Sequence, residues 1–387
     1  MIALAITSLL STSLIAQELE WVNSQGHLNS EYAQSVAIDK IGNVYVTGLF
    51  EGTIDANPDV SEHLITSNGG TDILFQKFDA TGQLVWAQNI GGPLDDQGVS
   101  VTVDHLNNPI LVANFQSTAN FNPFGPDALK TSNGLTDGCV AKYNPAGELI
   151  WFVLNGSTGP DGVNEVKVDA NNNIYTLGNF STTVDFEPGM HTTAKTSKGS
   201  FDTYIQKLDA NGEFVWAKSF GSYAEDFGYG LTVDSNENVF VTGIYNAHTN
   251  FDVNETACED SWRTPVGGGD IYILKLDYGG AFEWVKTIGS FYDDEGYSID
   301  VDANGGVYAV GKFYSNMNFD PNAGLHYVYS EGEADAFCLK LNESGNLEWV
   351  HTVGGPANEE ANYIHIDQIG GIYLLGTFPG KFGRNSF

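Results

Sequence analysis

Residues 72–91 read DILFQKFDATGQLVWAQNIG, and this stretch decides the fold. Asp72 opens a run from Ile73 to Phe78 that is rich in apolar and aromatic residues of high strand propensity, with Lys77 one residue from its end. Asp79-Ala-Thr-Gly82 follows. Asp at the first position and Gly at the fourth is the chemistry of a type I turn, where glycine accepts the positive φ that leads into the next strand. A second apolar run then carries Trp86, and Gly91 stands five residues beyond it. The segment is an antiparallel hairpin, with no helical period running through it.

The hairpin belongs to a series. Trp21, Trp86, Trp151, Trp216, Trp284 and Trp349 are spaced by 65, 65, 65, 68 and 65 residues, which is an internal repeat. Other columns keep step: Gly26, Gly91, Gly156, Gly221, Gly289 and Gly354, and the turn residues Asp39, Asp104, Asp169, Asp234, Asp302 and Asp367. Each unit holds four strands, as in 98–104, 109–115, 137–144 and 147–154 of the second copy. A small four-stranded sheet has two apolar faces and cannot bury them alone, so the copies stack radially. The expected fold is all-β, a β-propeller of four-stranded antiparallel blades with about six repeats of 65 residues. Its tryptophans, on the outermost strands, pack between neighbouring blades. The series breaks off at the C-terminus, where the last repeat offers a first strand near Tyr363 to Asp367 and a second near Gly371 to Phe378. Trp21 supplies an orphan fourth strand that would complete this blade, with the tail from Pro379 to Phe387 as candidate third strand. Residues 1–16 read as a signal peptide and 17–387 as a single propeller domain.

The columns W-x4-G-[GS], D-x-x-G-N-x-Y-V-x-G-x-F at Asp39 to Phe50 and D-x-x-x-x-K-[FYL]-[DN] at Asp72 to Asp79 resemble the bacterial β-propeller repeats known as SBBP repeats. The resemblance runs from about Leu19 to Phe378. It implies a secreted or surface protein, and no established catalytic activity.

Composition narrows the function. With 16 basic against 49 acidic side chains the net charge is −33, which excludes nucleic acid as a partner, because phosphate recognition needs a basic surface. Ile2 to Ala16 is apolar but too short for a membrane span, and Ala16 is a small residue suited to signal cleavage. A secreted or cell-surface monomer without a transmembrane segment is expected. Cys139, Cys258 and Cys338 are too few and too far apart for a disulfide framework or a zinc site.

Strand direction puts the blade-to-blade loops and the long connections between second and third strands on one face, where function concentrates. Ten residues after each tryptophan stands an acid: Glu31, Asp96, Asp161, Asp226, Asp294 and Glu359. As a ring around a channel mouth these are candidate ligand-binding residues. Asp72, Asp137, Asp202, Asp270 and Asp335 open the third strands on the same face. Clustered hard oxygens suit Ca²⁺, and the competing reading makes them acceptors for loop N–H groups. Loop elements of the form [DN]-F-[DNE]-P, such as Asn120 to Pro123 and Asp185 to Pro188, join them. Lys77, Lys142, Lys207, Lys275 and Lys340 recur at one place in the third strand, which points to a repeated structural ion pair. The insertion Cys258-Glu-Asp-Ser-Trp262-Arg263 makes one repeat unlike the others, and Trp262 with Arg263 is a candidate contact point. No nucleophile elbow, phosphate loop or metalloprotease motif is present. Beyond Ca²⁺ the motifs call for no cofactor. The expected function is a non-catalytic binding or scaffold module for an extracellular glycan or protein, acting through its acidic loop face. The alternative is a propeller enzyme, carbohydrate-active or quinoprotein-like, since Asp79 to Trp86 distantly resembles the tryptophan-docking motif of quinoprotein propellers.

Overall fold

A computed structural model describes residues 31–57, 62–187, 191–254, 258–322 and 324–379 in full, and residues 2–6 and 21–25 as strand backbone. The chain divides into two compact units, Met1–Val166 and Lys167–Phe387, the division falling inside the strand Asp161–Val168.

Within the first unit the strands Glu31–Ile38, Val44–Asp55, Leu64–Phe78 and Leu84–Ile90 make one four-stranded sheet. Gln97–Val103, Pro109–Asn120, Leu129–Tyr143 and Leu149–Asn155 make the second. The third sheet runs Asp161–Val168, Ile174–Phe180, Asp202–Leu208, Phe214–Phe220. In the second unit the fourth sheet runs Asp226–Val233, Val239–Tyr245, Asp270–Leu276, Phe282–Ile288, and the fifth Glu295–Val301, Val307–Asn318, Tyr327–Leu341, Leu347–Val353. Glu360–Ile366 and Ile372–Thr377 form a two-stranded sheet after it. Each four-stranded sheet is an antiparallel meander in chain order, the blade of a β-propeller. The strand Trp21–Gln25, an orphan by sequence, pairs with Ile2–Ile6. Ala16, Gly26 and the tail residues 380–387 lie outside the described residues.

The turns form as their sequences dictate. Asp39 Oδ1 accepts the N–H groups of Ile41 at 3.0 Å and Asn43 at 2.8 Å, while Asn43 Nδ2 donates to Oδ2. Asp104 and Asp234 repeat the arrangement. Between third and fourth strands Asp209 does the same for Asn211 and Glu213, and Gly212 takes a φ of 83°. A side chain at that φ crowds its own carbonyl, which is why glycine recurs there.

Adjacent blades are joined by side chains reaching backbone. The Trp86 indole, packed on Tyr45 and Phe75, donates to the carbonyl of Pro145 at 3.2 Å, and Trp284 donates to that of Glu343 at 3.2 Å. Both acceptors sit in the third-to-fourth-strand turn of the following blade. Among the first strands, Ser35 Oγ accepts the Val101 N–H at 3.1 Å, Ser298 Oγ that of Ile364 at 3.3 Å, and Asp300 Oδ2 that of Ile366 at 2.8 Å. The recurring lysine is structural. Lys142 pairs with Asp104 at 2.9 Å, Lys207 with Glu237 at 2.9 Å, Lys275 with Glu283 at 3.2 Å, and Lys340 with Asp302 and Glu348. Lys77 donates to Pro145 O, and its ammonium lies over the Tyr45 ring. Lys207, Lys275 and Lys340 likewise lie over Tyr175, Phe240 and Tyr308, whereas Ile110 stands opposite Lys142; the carboxylate is the turn aspartate for Lys142 and Lys340 and a glutamate of a nearby turn or strand for Lys207 and Lys275.

Gly212→Ala should lower the unfolding free energy by about 1–2 kcal/mol, the cost of a left-handed conformation for a residue with a Cβ. Urea denaturation reads this, and an unchanged midpoint would show that the turn adapts.

Candidate functional site

The third strands begin with a buried carboxylate. Asp72 and Asp137 are fully buried, and Asp202, Asp270 and Asp335 are at most 3% exposed. Each uses Oδ2 to accept the N–H four residues upstream, that of Asn133 for Asp137, Lys198 for Asp202 and Val266 for Asp270. The Oδ1 atoms of Asp137, Asp202, Asp270 and Asp335 are buried with no hydrogen-bond partner. The glycine five residues after each tryptophan explains the burial. A Cβ added at Gly156, Gly221 or Gly289 would collide with the carboxylate of Asp137, Asp202 or Asp270, so bare backbone is laid directly against the acid.

The second acidic column is buried as well. Glu31 is 8% exposed and Asp96, Asp161, Asp226, Asp294 and Glu359 are at most 3% exposed. Asp96 accepts the N–H of Gly92 at 2.7 Å and of Gln116 at 3.0 Å. Asp226 accepts the N–H and hydroxyl of Ser222 and the N–H of Asn246. Asp294 serves Ser290 and Tyr314 in the same way, and Asp161 takes the N–H and hydroxyl of Ser157. The acid fastens the blade-to-blade loop to the end of the second strand. Its carboxylate faces the protein interior and not solvent.

The two columns meet in pairs. Burial pushes Asp137, Asp202 and Asp335 up to about 6 and Asp270 up to about 7, opposed by their loop N–H bonds and helped by the second acid, Asp161, Asp226, Glu359 and Asp294 respectively. Burial likewise pushes Asp96 and Asp294 up to about 6. Among the described residues no three His, Cys, Asp or Glu side chains gather in an arrangement that could hold a metal ion. The [DN]-F-[DNE]-P elements are turns too. Asn120 Oδ1 accepts the N–H groups of Asn122 and Ala128, Asp185 Oδ1 those of Glu187 and Thr193, and the adjoining Phe121 and Phe186 are core residues.

With the acids inside, other side chains occupy the loop tips. Tyr223 is 80% exposed, Phe291 77% and Tyr292 55%, all on loops of the second unit. Their backbone is held firmly. Gly199 and Gly267 approach the main chain of Tyr223 and Phe291 too closely for any Cβ, the Phe291 carbonyl accepts the Gly268 N–H, and Asp226 and Asp294 clamp the loop roots. Sequence periodicity missed these residues because the position varies: Pro93 and Thr158 stand in earlier repeats where Tyr223 and Phe291 stand in later ones.

In the insertion, Trp262–Arg263 pairs with Thr249–Asn250. Trp262 is 44% exposed and stacks on the His248 ring at 4.8 Å and 18°. Arg263 donates to the carbonyls of Asp260, Trp262 and Val285, so its guanidinium is committed to backbone. One further group breaks the repeat: Lys312 bridges Glu295 at 3.1 Å and Glu360 at 3.5 Å beside the Tyr297 ring. Cys139 and Cys338 are buried free thiols, and Cys258 is partly exposed. Among the described residues no helix is long and apolar enough to cross a membrane.

Sequence comparison agrees with this architecture. Residues 215–243 match the family model described as a β-propeller repeat, SBBP. An uncharacterized WD repeat-containing protein of Acanthamoeba polyphaga mimivirus is 22% identical over 92% of this chain and 31% of its own length. The regulatory protein FlaEY of Caulobacter vibrioides is 24% identical over 64% of this chain and 26% of its own. The chain thus spans about a third or less of these relatives. Among solved structures, the Pan2 WD40 domain of Neurospora crassa superposes with a TM-score of 0.36 and 10% identity over 90% of each chain. The chain is a β-propeller repeat protein.

The acid pairs set the response to pH. Their carboxyls are raised when folded, so the native state keeps protons that the unfolded chain releases near pH 4. The resulting stability is full below the unfolded value and is lost as pH rises through about 6 to 7. The melting midpoint should therefore climb by several degrees from pH 7.5 to pH 5. In the triple variant D137N/D202N/D270N, where amides replace the titrating acids, the climb should shrink. A wild-type midpoint that falls steadily on acidification contradicts this account.

Proposed function

We propose that the chain is a non-catalytic binding module, secreted or displayed at the cell surface, which holds a glycan or protein partner on its loop face. The observation that carries this reading is the set of exposed aromatic tips, Tyr223, Phe291 and Tyr292, on loops whose main chain is pinned. An exposed ring on a mobile loop loses entropy on binding; a ring on a fixed loop loses little, and Tyr has few torsions to freeze. Aromatic faces supply contact area to sugar C–H surfaces and to protein hot spots alike. The Trp262–His248 stack presents another exposed ring on the same unit. The acidic columns contribute indirectly, by anchoring the loop roots.

Repetition also favours binding over catalysis. Two acids with different roles need unlike surroundings, whereas the pairs Asp137 with Asp161 and Asp202 with Asp226 share one environment.

Fluorescently labelled protein applied to a glycan array, with immobilised extracellular proteins alongside, tests the reading. The wild type should bind a defined subset of spots, and Y223A/F291A/Y292A should bind them at least tenfold more weakly, about 1.4 kcal/mol. Its unfolding midpoint should be almost unchanged, since the three rings are exposed. Equal binding by wild type and triple variant would falsify the proposal.

A further inference from the structure

In a chain of net charge −33, three lysines line one polar cavity of about 460 Å³ in the second unit. Lys195 comes from the short strand Ala194–Thr196, Lys198 from the turn after it, and Lys218 from the fourth strand Phe214–Phe220. Thr196, Ser219 and Asn254 add polar groups to the wall. Among the described residues none of these lysines makes a salt bridge, whereas Lys142, Lys207, Lys275, Lys312 and Lys340 all do.

The next repeat shows what the scaffold alone requires. There Lys286 stands where Lys218 does and donates to Asn322 at 2.6 Å, as Lys218 donates to Asn254 at 2.5 Å. This lysine-to-asparagine bond ties one repeat to the following loop, and packing needs no more. At the place of Lys195 the next repeat has Arg263, committed to carbonyls, and at the place of Lys198 it has Val266. Lys195 and Lys198 therefore add charge that the lock does not use. Burial, then the nearby Lys195, holds Lys218 below the usual lysine range, with Asp277 and Asp252 acting in the opposite sense. Like charges crowded against one another are relieved by an anion between them. One acid borders the cavity: Asp202, whose Oδ2 takes the Lys198 N–H and whose carboxyl is pushed up to about 6 by burial. The distant carboxylates act weakly, because their field decays over about 10 Å at 0.1 M salt.

We propose that this cavity binds a tetrahedral oxyanion, as a sulfate or phosphate ester on a small molecule or sugar, with Lys195, Lys198 and Lys218 as its donors. The volume suits a monosaccharide-sized ligand better than a bare ion. None of the aromatic loop tips lines the cavity, and each reading can fail without the other.

Isothermal titration of the whole chain tests the proposal with four probes: sodium sulfate, sodium phosphate, glucose 6-sulfate and glucose 6-phosphate, each against sodium chloride at matched ionic strength. Saturable binding of at least one probe is expected, with the sugar esters bound more tightly than the free ions; the better ester identifies the source. K195M/K198M keeps the Lys218–Asn254 bond, and with it the packing, and should weaken binding at least tenfold. Thermal unfolding checks that this variant remains folded. Sulfate and phosphate stabilise proteins generally by exclusion from the surface, so a non-saturating effect shared by wild type and variant overturns the proposal. So does the absence of binding by all four probes.

Discussion

A loop N–H group shut away from water must find an acceptor, and this molecule answers that constraint with the side-chain oxygen of Asp or Asn. The solution recurs at each connection in the repeat. Asp39 and Asp209 take the N–H groups two and four residues ahead, Asn120 and Asp185 those two and eight ahead, and Asp96 and Asp226 join a loop to the strand beyond it. Backbone conformation in the connections thus rests on acceptors rather than on packing, and the sheets between them are free to be apolar. The acidic composition follows from the same requirement repeated blade after blade.

The fold was legible because its signals are periodic. A tryptophan every 65 residues and a turn aspartate in each copy survive any variation between them. Burial of the acids was not legible, since a column of Asp reads the same whether solvated or sealed. The needed clue stood beside it in the Gly156, Gly221 and Gly289 column, whose missing side chains leave room for the carboxylates. Arg263 reads as an exposed cation in the string, yet three carbonyls claim it. The lysine cavity escaped for the opposite reason. Lys195 and Lys198 join Lys218 in one repeat only, and a search for columns averages away whatever is unique.

Periodic and singular features consequently carry different meanings here. The lysine of the third strand, the tryptophan and the paired acids recur, and each holds the scaffold. What does not recur is exposed or stands outside the lock: the aromatic tips, the Trp262 stack, Lys195 and Lys198. In a repeat protein the departures from the repeat are where individual chains can acquire partners without disturbing their neighbours.

The turns bear on how this protein ages. Asn211-Gly212 and Asn304-Gly305 are two of the five Asn-Gly dipeptides in the chain, the pairing most prone to deamidation, in which the glycine nitrogen attacks the asparagine side chain to close a succinimide ring. In the folded chain the Gly212 N–H is held by the Asp209 carbonyl at 3.0 Å and that of Gly305 by Asp302 at 3.0 Å. Each nitrogen is turned toward its hydrogen-bond acceptor and away from the attack. The contact that shapes the hairpin thereby also slows a chemical clock, which runs at full speed only while the chain is unfolded.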